Sequence, residues 1–201
     1  MAADLFTTAH LFARWFHVIA GIAWIGMLYF FNFVNTPMQG VLDDATKKAV
    51  NPQLMPRALW WFRWGAMVTF IMGLALYTMN YMYTPTVGFG PNALFHSQRH
   101  DWMLLGMSFG SLMWFNVWFV IWPAQKQLLG GTAGDKAPAL RARAALFSKI
   151  NTYSSAPMLF SMLGAPHYGR SSVVTFVVVT LVGFAVVFGA YKHAPIVGKS
   201  V

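Results

Sequence analysis

The sequence contains no cysteine, no glutamate and very little charge. The missing cysteine excludes disulfides, iron–sulfur clusters, thiolate zinc sites and the CxxCH attachment of c-type haem. Any cofactor must therefore be held by His, Met, Tyr, Asp or backbone groups. Charged residues make up 9% of the chain and hydrophobic ones 57%, whereas a soluble domain carries about 25% charged residues. Too few charges remain to solvate a globular surface, so lipid must face much of the protein. Five acids, all aspartate, stand against 14 Lys and Arg, a formal charge of +9. The basic residues fall between apolar runs rather than on one soluble face, which reads as membrane topology and not as a nucleic-acid surface. No basic leader with a cleavage site precedes the first apolar run, so no cleaved signal peptide is expected.

A spanning helix needs about 20 mostly apolar residues. The expected fold is an all-α integral membrane bundle of about five transmembrane helices forming one domain over residues 1–201. The helices are expected at about 10–34, 59–82, 102–122, 137–164 and 172–191. The fourth is short and polar in its apolar part, 150–164, and an amphipathic stretch from Ala137 to Lys149 is read as its extension. The loops carry Lys47, Lys48, Arg57, Lys126, Lys136, Arg141, Arg143, Lys149, Lys192 and Lys199 on one side, with Arg63 just inside the second helix. Only Arg14, Arg99 and Arg170 fall on the other. Excess Lys and Arg mark the cytoplasmic side, which predicts the N-terminus outside and the C-terminus inside. Tyr81, Tyr83, Trp102 and Trp122 are expected near the membrane interfaces, where amphipathic rings settle. Gly106 and Gly110 form a GxxxG, the pattern of close helix approach.

Five of the six histidines, His10, His17, His96, His100 and His167, fall near the expected outer face, and His193 lies inside. His17 sits about two turns into the first helix among Phe16, Val18 and Ile19. An ionisable group within a membrane has a partner as a rule. Two readings stand: an axial ligand to haem iron, or a packing histidine bonded to a neighbouring carbonyl. His10, Arg14 and His17 share a helical face, which would let Arg14 meet a haem propionate or simply snorkel toward headgroups. His100 enters the third helix beside Asp101 and is a second candidate for haem. His96 lies four residues before His100, but no third ligand for a zinc or copper site is evident. His167 stands at the outer end of the fourth helix. Asn151, Thr152, Ser154 and Ser155 surround Pro157 in that helix, where polar side chains re-satisfy freed backbone groups, line a cavity or hold helices together. The many methionines read first as packing filler.

The run RWFHVIAGIAWIG from Arg14 to Gly26 resembles the first helix of the membrane-bound urate oxidase (urate hydroxylase) N-terminal domain family. So do WFRWGA from Trp61 to Ala66, NVWFVIWPAQK from Asn116 to Lys126, and FSKINT from Phe147 to Thr152 followed by PMLF from Pro157 to Phe160. The similarity covers about residues 10–167, with the fifth helix less alike. The resemblance implies a bacterial inner-membrane redox protein. Full-length members of the family add further helices and a C-terminal cytochrome c domain, thought to pass electrons from urate toward the respiratory chain. This sequence has no CxxCH, so a separate redox partner such as a cytochrome c is implied. The first-helix pattern of a His followed by Gly and Trp-Ile-Gly is also similar to small membrane proteins that bind haem b through that His. It implies His17 as one axial ligand and His100 or His167 as the other. Three functions are thus expected as rivals. They are a haem b electron-transfer subunit, a urate-oxidising unit that uses Arg14, Arg63 and Asn151 and an external cytochrome c, and a non-catalytic subunit of a larger membrane complex.

Overall fold

The computed structural model describes residues 2–198, with side chains from Asp4 onward. Lys199, one of the cations expected inside, lies outside the described residues. Helix α1 (Ala2–Tyr29) passes through a π-helical stretch (Phe30–Asn35) into α2 (Thr36–Val41). After a two-residue break comes α3 (Asp44–Tyr81). A two-stranded antiparallel hairpin, β1 (Tyr83–Thr84) and β2 (Gly88–Phe89), leads to α4 (Gln98–Phe115). A second π-helical stretch (Asn116–Ile121) joins α4 to α5 (Trp122–Leu129). Helices α6 (Ala137–His167) and α7 (Val173–His193) complete the chain.

The helices run further than the apolar pattern predicts. Helix α3 begins at Asp44 rather than near residue 59 and keeps Pro52 and Pro56 inside it. Its start is fixed by Asp43, whose carboxylate accepts the Thr46 backbone N–H at 2.9 Å and the Thr46 hydroxyl at 2.7 Å. These bonds satisfy donors that a helix start leaves open. They also hold the Asp43 carboxyl below its usual range, the Thr46 backbone bond most of all. Helix α7 starts at a reciprocal cap between Ser172 and Thr175.

Among the described residues, four stretches are long and apolar enough to cross a membrane: Asp4–Val41, Asp44–Tyr81, Gln98–Leu129 and Val173–His193. Helix α6 is not among them. Its middle carries Asn151, Thr152, Ser154, Ser155 and Ser161, and all five are buried. Its polar stripe is turned onto other helices while Leu159, Phe160 and Leu163 stay exposed, which explains why its sequence reads as short and polar.

Close backbone approach organises the bundle. A Cβ at Gly65 on α3 would sit 3.1 Å from the Trp24 nitrogen and 3.2 Å from the Ala20 oxygen on α1. A Cβ at Gly106 on α4 would meet the Ser161 Cβ of α6 at 3.2 Å, so the GxxxG does mark an approach. At Gly183 on α7 it would meet Ala156 and Pro157 of α6 at 3.1 Å. Small residues let helices touch in this way. The resulting pairs, α1 with α3 and α4 with α6, enclose a core of Trp24, Leu28, Phe62, Ala66, Met113 and Met158. Helix α7 rests on α6 and leaves Val174, Val177, Leu181 and Val186 exposed.

Two of the rings expected near the interfaces, both close to helix ends, are buried against other helices and loops. Tyr81 is 2% exposed and Trp102 0%. Trp102 donates its indole N–H to the Arg170 carbonyl at 2.8 Å and packs edge-on to Phe176. It ties α4 to the α6–α7 turn, a long-range partnership invisible in local pattern.

Candidate functional site

His17 projects from α1 toward α3, where Nδ1 lies 2.8 Å from the Thr69 carbonyl oxygen. A carbonyl only accepts, so Nδ1 carries the proton and Nε2 keeps its lone pair. Among the described residues no hydrogen bond engages Nε2. The ring is pressed against Gly73, where a Cβ would come within 3.1 Å of the imidazole. Glycine at this position is what lets the ring approach α3 this closely.

The same imidazole lines a cavity of about 460 Å³ between the α1–α3 and α4–α6 pairs. That volume falls within the roughly 300–1,000 Å³ of small-molecule and cofactor sites. Gly21, Gly26, Gly73 and Gly110 face it, and nothing lies within 4 Å of a Cβ placed at Gly26. Met107, Met158 and Met162 form much of the opposite wall. Besides His17, the hydroxyls of Thr69 and Ser111 are on the lining. The Trp24 indole N–H, on the same wall, is buried without a hydrogen-bond partner.

The other expected ligands do not join His17. His100 is buried, with Nε2 3.0 Å from the Tyr77 hydroxyl and its ring 4.4 Å from that of Phe95. Gly73 touches His17 while Tyr77, four residues further along α3, holds His100. That offset is about 6 Å along the helix axis, and an aromatic cluster of Tyr77, Tyr81 and Phe95 occupies the space around His100. His167 is exposed at the end of α6, beside Gln98, Arg99 and Tyr168. Arg14 is exposed on α1, three residues before His17. His10 bonds Asn80 at 3.2 Å, and His96 is exposed. Among the described residues no cluster of three or more His, Cys, Asp or Glu side chains is arranged to hold a metal ion.

A polar belt fills the middle of the bundle. Asn116 donates to Asn151 Oδ1 at 2.8 Å, and Asn151 donates to the Met113 carbonyl at 3.0 Å. Tyr29 meets Ser155 at 2.9 Å. Asn32 donates to Ser148 Oγ and accepts the Tyr191 hydroxyl, both at 2.8 Å. Both π-helical stretches supply this belt, with Asn32 from the first and Asn116 from the second. Such stretches recur at functional sites.

Lined in part by the belt's Asn32, Ser148 and Tyr191, at the end of the bundle that collects most of the Lys and Arg, is a second cavity of about 790 Å³. Asn35, Gln39, Asn51 and Gln125 present amides to it, and Arg141 and Lys149 bring positive charge. Gln39 and Asn51 exchange two hydrogen bonds, at 2.8 and 3.0 Å. Neither Asn151 nor Arg63 reaches this cavity: Asn151 is committed to the belt, and Arg63 is caged by aromatic rings. Its guanidinium carbon lies 3.9 Å from the Trp122 ring centre and 5.2 Å from that of Trp118. Arg14, Arg63 and Asn151 therefore form no common site. The amides and methionines that do line cavities gave only a weak signal, since Met and Asn side chains are common in packing.

The family model of the urate oxidase N-terminal domain matches residues 87–194, from the β1–β2 turn to the end of α7. The chain belongs to the urate oxidase N-terminal family. Within this member of the family, the matched stretch supplies the α4–α6 wall of the His17 cavity, while His17 itself lies upstream of it. No curated protein and no solved structure matches the chain.

Proposed function

We propose that the chain is a membrane-embedded electron-transfer unit that holds haem b in the apolar cavity, with His17 Nε2 on the iron. One observation carries this reading. The His17 ring lines a cofactor-sized cavity with Nδ1–H committed to the Thr69 carbonyl and Nε2 unengaged. A backbone-bonded Nδ1–H fixes the tautomer and orientation of a metal-bound imidazole and raises its basicity. Gly26, with nothing within 4 Å of a Cβ placed on it, leaves open space on the cavity wall where a flat macrocycle would lie. The bound group supplies reversible one-electron storage at iron. The apolar walls exclude water from it. Arg14, one helical turn outward of His17, is the cation suited to a propionate.

Alternating, antiparallel helices put most of the Lys and Arg at one end. By the rule that cytoplasmic loops are basic, we place that end in the cytoplasm, with α6 as a fifth span shielded by its neighbours. His17 is then near the outer face of a bacterial inner membrane, where an external cytochrome c would exchange electrons with the haem.

The test is a dithionite-reduced minus oxidised absorption spectrum of protein purified after haem-supplemented expression. A Soret band that shifts on reduction is expected. Its absence overturns the reading and leaves a structural subunit of a larger complex.

A second reading, a urate-oxidising unit that delivers electrons to an external cytochrome c, is favoured by the amide- and cation-lined cavity at the opposite end. Membranes containing the chain and supplied with cytochrome c are then expected to consume urate, with Gln39→Leu and Arg141→Ala raising the urate concentration required. Membranes that leave urate untouched contradict it.

A further inference from the structure

We infer that the second axial position of the haem is filled by a methionine thioether from the α4–α6 wall, not by an imidazole. This inference rests on the haem reading above and specifies its coordination. Across the cavity from His17, the side chains with a soft donor are Met107, Met158 and Met162. The Thr69 hydroxyl, on the His17 side, is already donated to the Gly65 carbonyl at 2.7 Å. His100 and His167 line other parts of the molecule.

The glycines of α4 support the assignment. At Gly110 a Cβ would lie 3.7 Å from the Met158 sulfur, and at Gly106 it would lie 3.4 Å from the Met162 sulfur. Bare backbone at these positions leaves the thioethers space to move between rotamers, and methionine has three rotatable bonds with which to use it. The lean of the helical side chains favours Met107. Tyr29 of α1 meets Ser155 of α6, and the two helices are antiparallel, so His17 lies outward of all three methionines. Side chains on a helix lean toward its N-terminus. On α4 that direction is outward, toward the level of His17, and on α6 it is inward.

A neutral thioether stabilises the reduced iron and raises the potential relative to a second imidazole. An apolar wall with no anion among its lining residues acts in the same direction, because burial in low dielectric favours the form with less charge.

The experiment is near-infrared magnetic circular dichroism of the ferric protein together with redox titration. Both are run on the natural chain and on Met107→Leu, Met158→Leu and Met162→Leu. Leucine conserves volume closely enough to keep the wall packed. The natural chain is expected to show a thioether-to-iron charge-transfer band. One of the three variants, Met107→Leu first, is expected to lose it and to titrate at a lower potential. His100→Ala is expected to keep it. A bis-imidazole or five-coordinate signature in the natural chain, or a band that survives all three substitutions, overturns the inference while leaving haem binding intact. A natural chain that takes up no haem defeats the underlying reading instead, so the two failures are distinguishable.

Discussion

At the scale of single residues, the decisive feature is that both nitrogens of His17 have different tasks. Nδ1 is spent on the Thr69 carbonyl, so the ring is oriented before any ligand arrives. Gly73 is part of the same device. Gly73→Ala puts a methyl group 3.1 Å from the imidazole, and the ring must turn. We expect this variant to bind haem with a perturbed spectrum, whereas Gly26→Ala, with open space around it, changes the spectrum less. Absorption spectra of the two variants decide the point. Asn151 offers a stability prediction. It is fully buried and joins α6 to α4 through Asn116 and the Met113 carbonyl. Asn151→Ala strands those partners and should cost about 1–2 kcal/mol, read as a lower midpoint in denaturant titration in mild detergent. Asp43 gives a pH dependence. Its folded-state pKa is depressed by the Thr46 bonds, so its contribution is present above the unfolded value of about 3.9 and is lost as pH falls through the lower folded value. Amide protection at Thr46 and Lys47 should therefore fall as pH drops below about 3.9, the unfolded value. In Asp43→Ala, corrected for intrinsic exchange, that dependence should be absent.

At the scale of helices, the sequence showed where apolar length lay but not where helices began. The first, third and fifth helices are legible because lipid-facing runs are continuous. The first half of α3 is not, because Pro52 and Pro56 and a polar face argue locally against a helix that its cap and its packing maintain. Helix α6 reads as weak for the opposite reason: its polar groups find partners on four other segments, and no local window contains those partners. The π-helical stretches were equally hidden, since nothing in FFNFVN or NVWFVI differs in composition from an ordinary spanning helix. Contact between α7 and α6 hinges on Gly183, whose Cβ would strike Ala156 and Pro157. Gly183→Leu should detach α7 along its length, seen as faster amide exchange in α7 while α1 and α3 keep theirs.

At the scale of the whole molecule, a basic end, an apolar middle and an exposed apolar girdle define an axis. The absence of cysteine makes that axis measurable without background. Thr86→Cys in the β1–β2 turn should react with a membrane-impermeant maleimide added to intact spheroplasts, and Gly131→Cys before α6 only after lysis. The reverse pattern would invert the topology. The candidate site was half legible at this scale. His17 stands out because an imidazole in an apolar run is rare; His100 and His167 are indicated by their place near the same outer face, yet neither lines the cavity. The central claim is that one imidazole, His17, holds the pigment. The most direct measurement is the haem content per chain of the natural protein against His17→Ala, with His100→Ala and His167→Ala as companions. The account predicts pigment in the natural chain and in both companions, and its loss in His17→Ala. Pigment retained in His17→Ala, or none in any of the four, would contradict it.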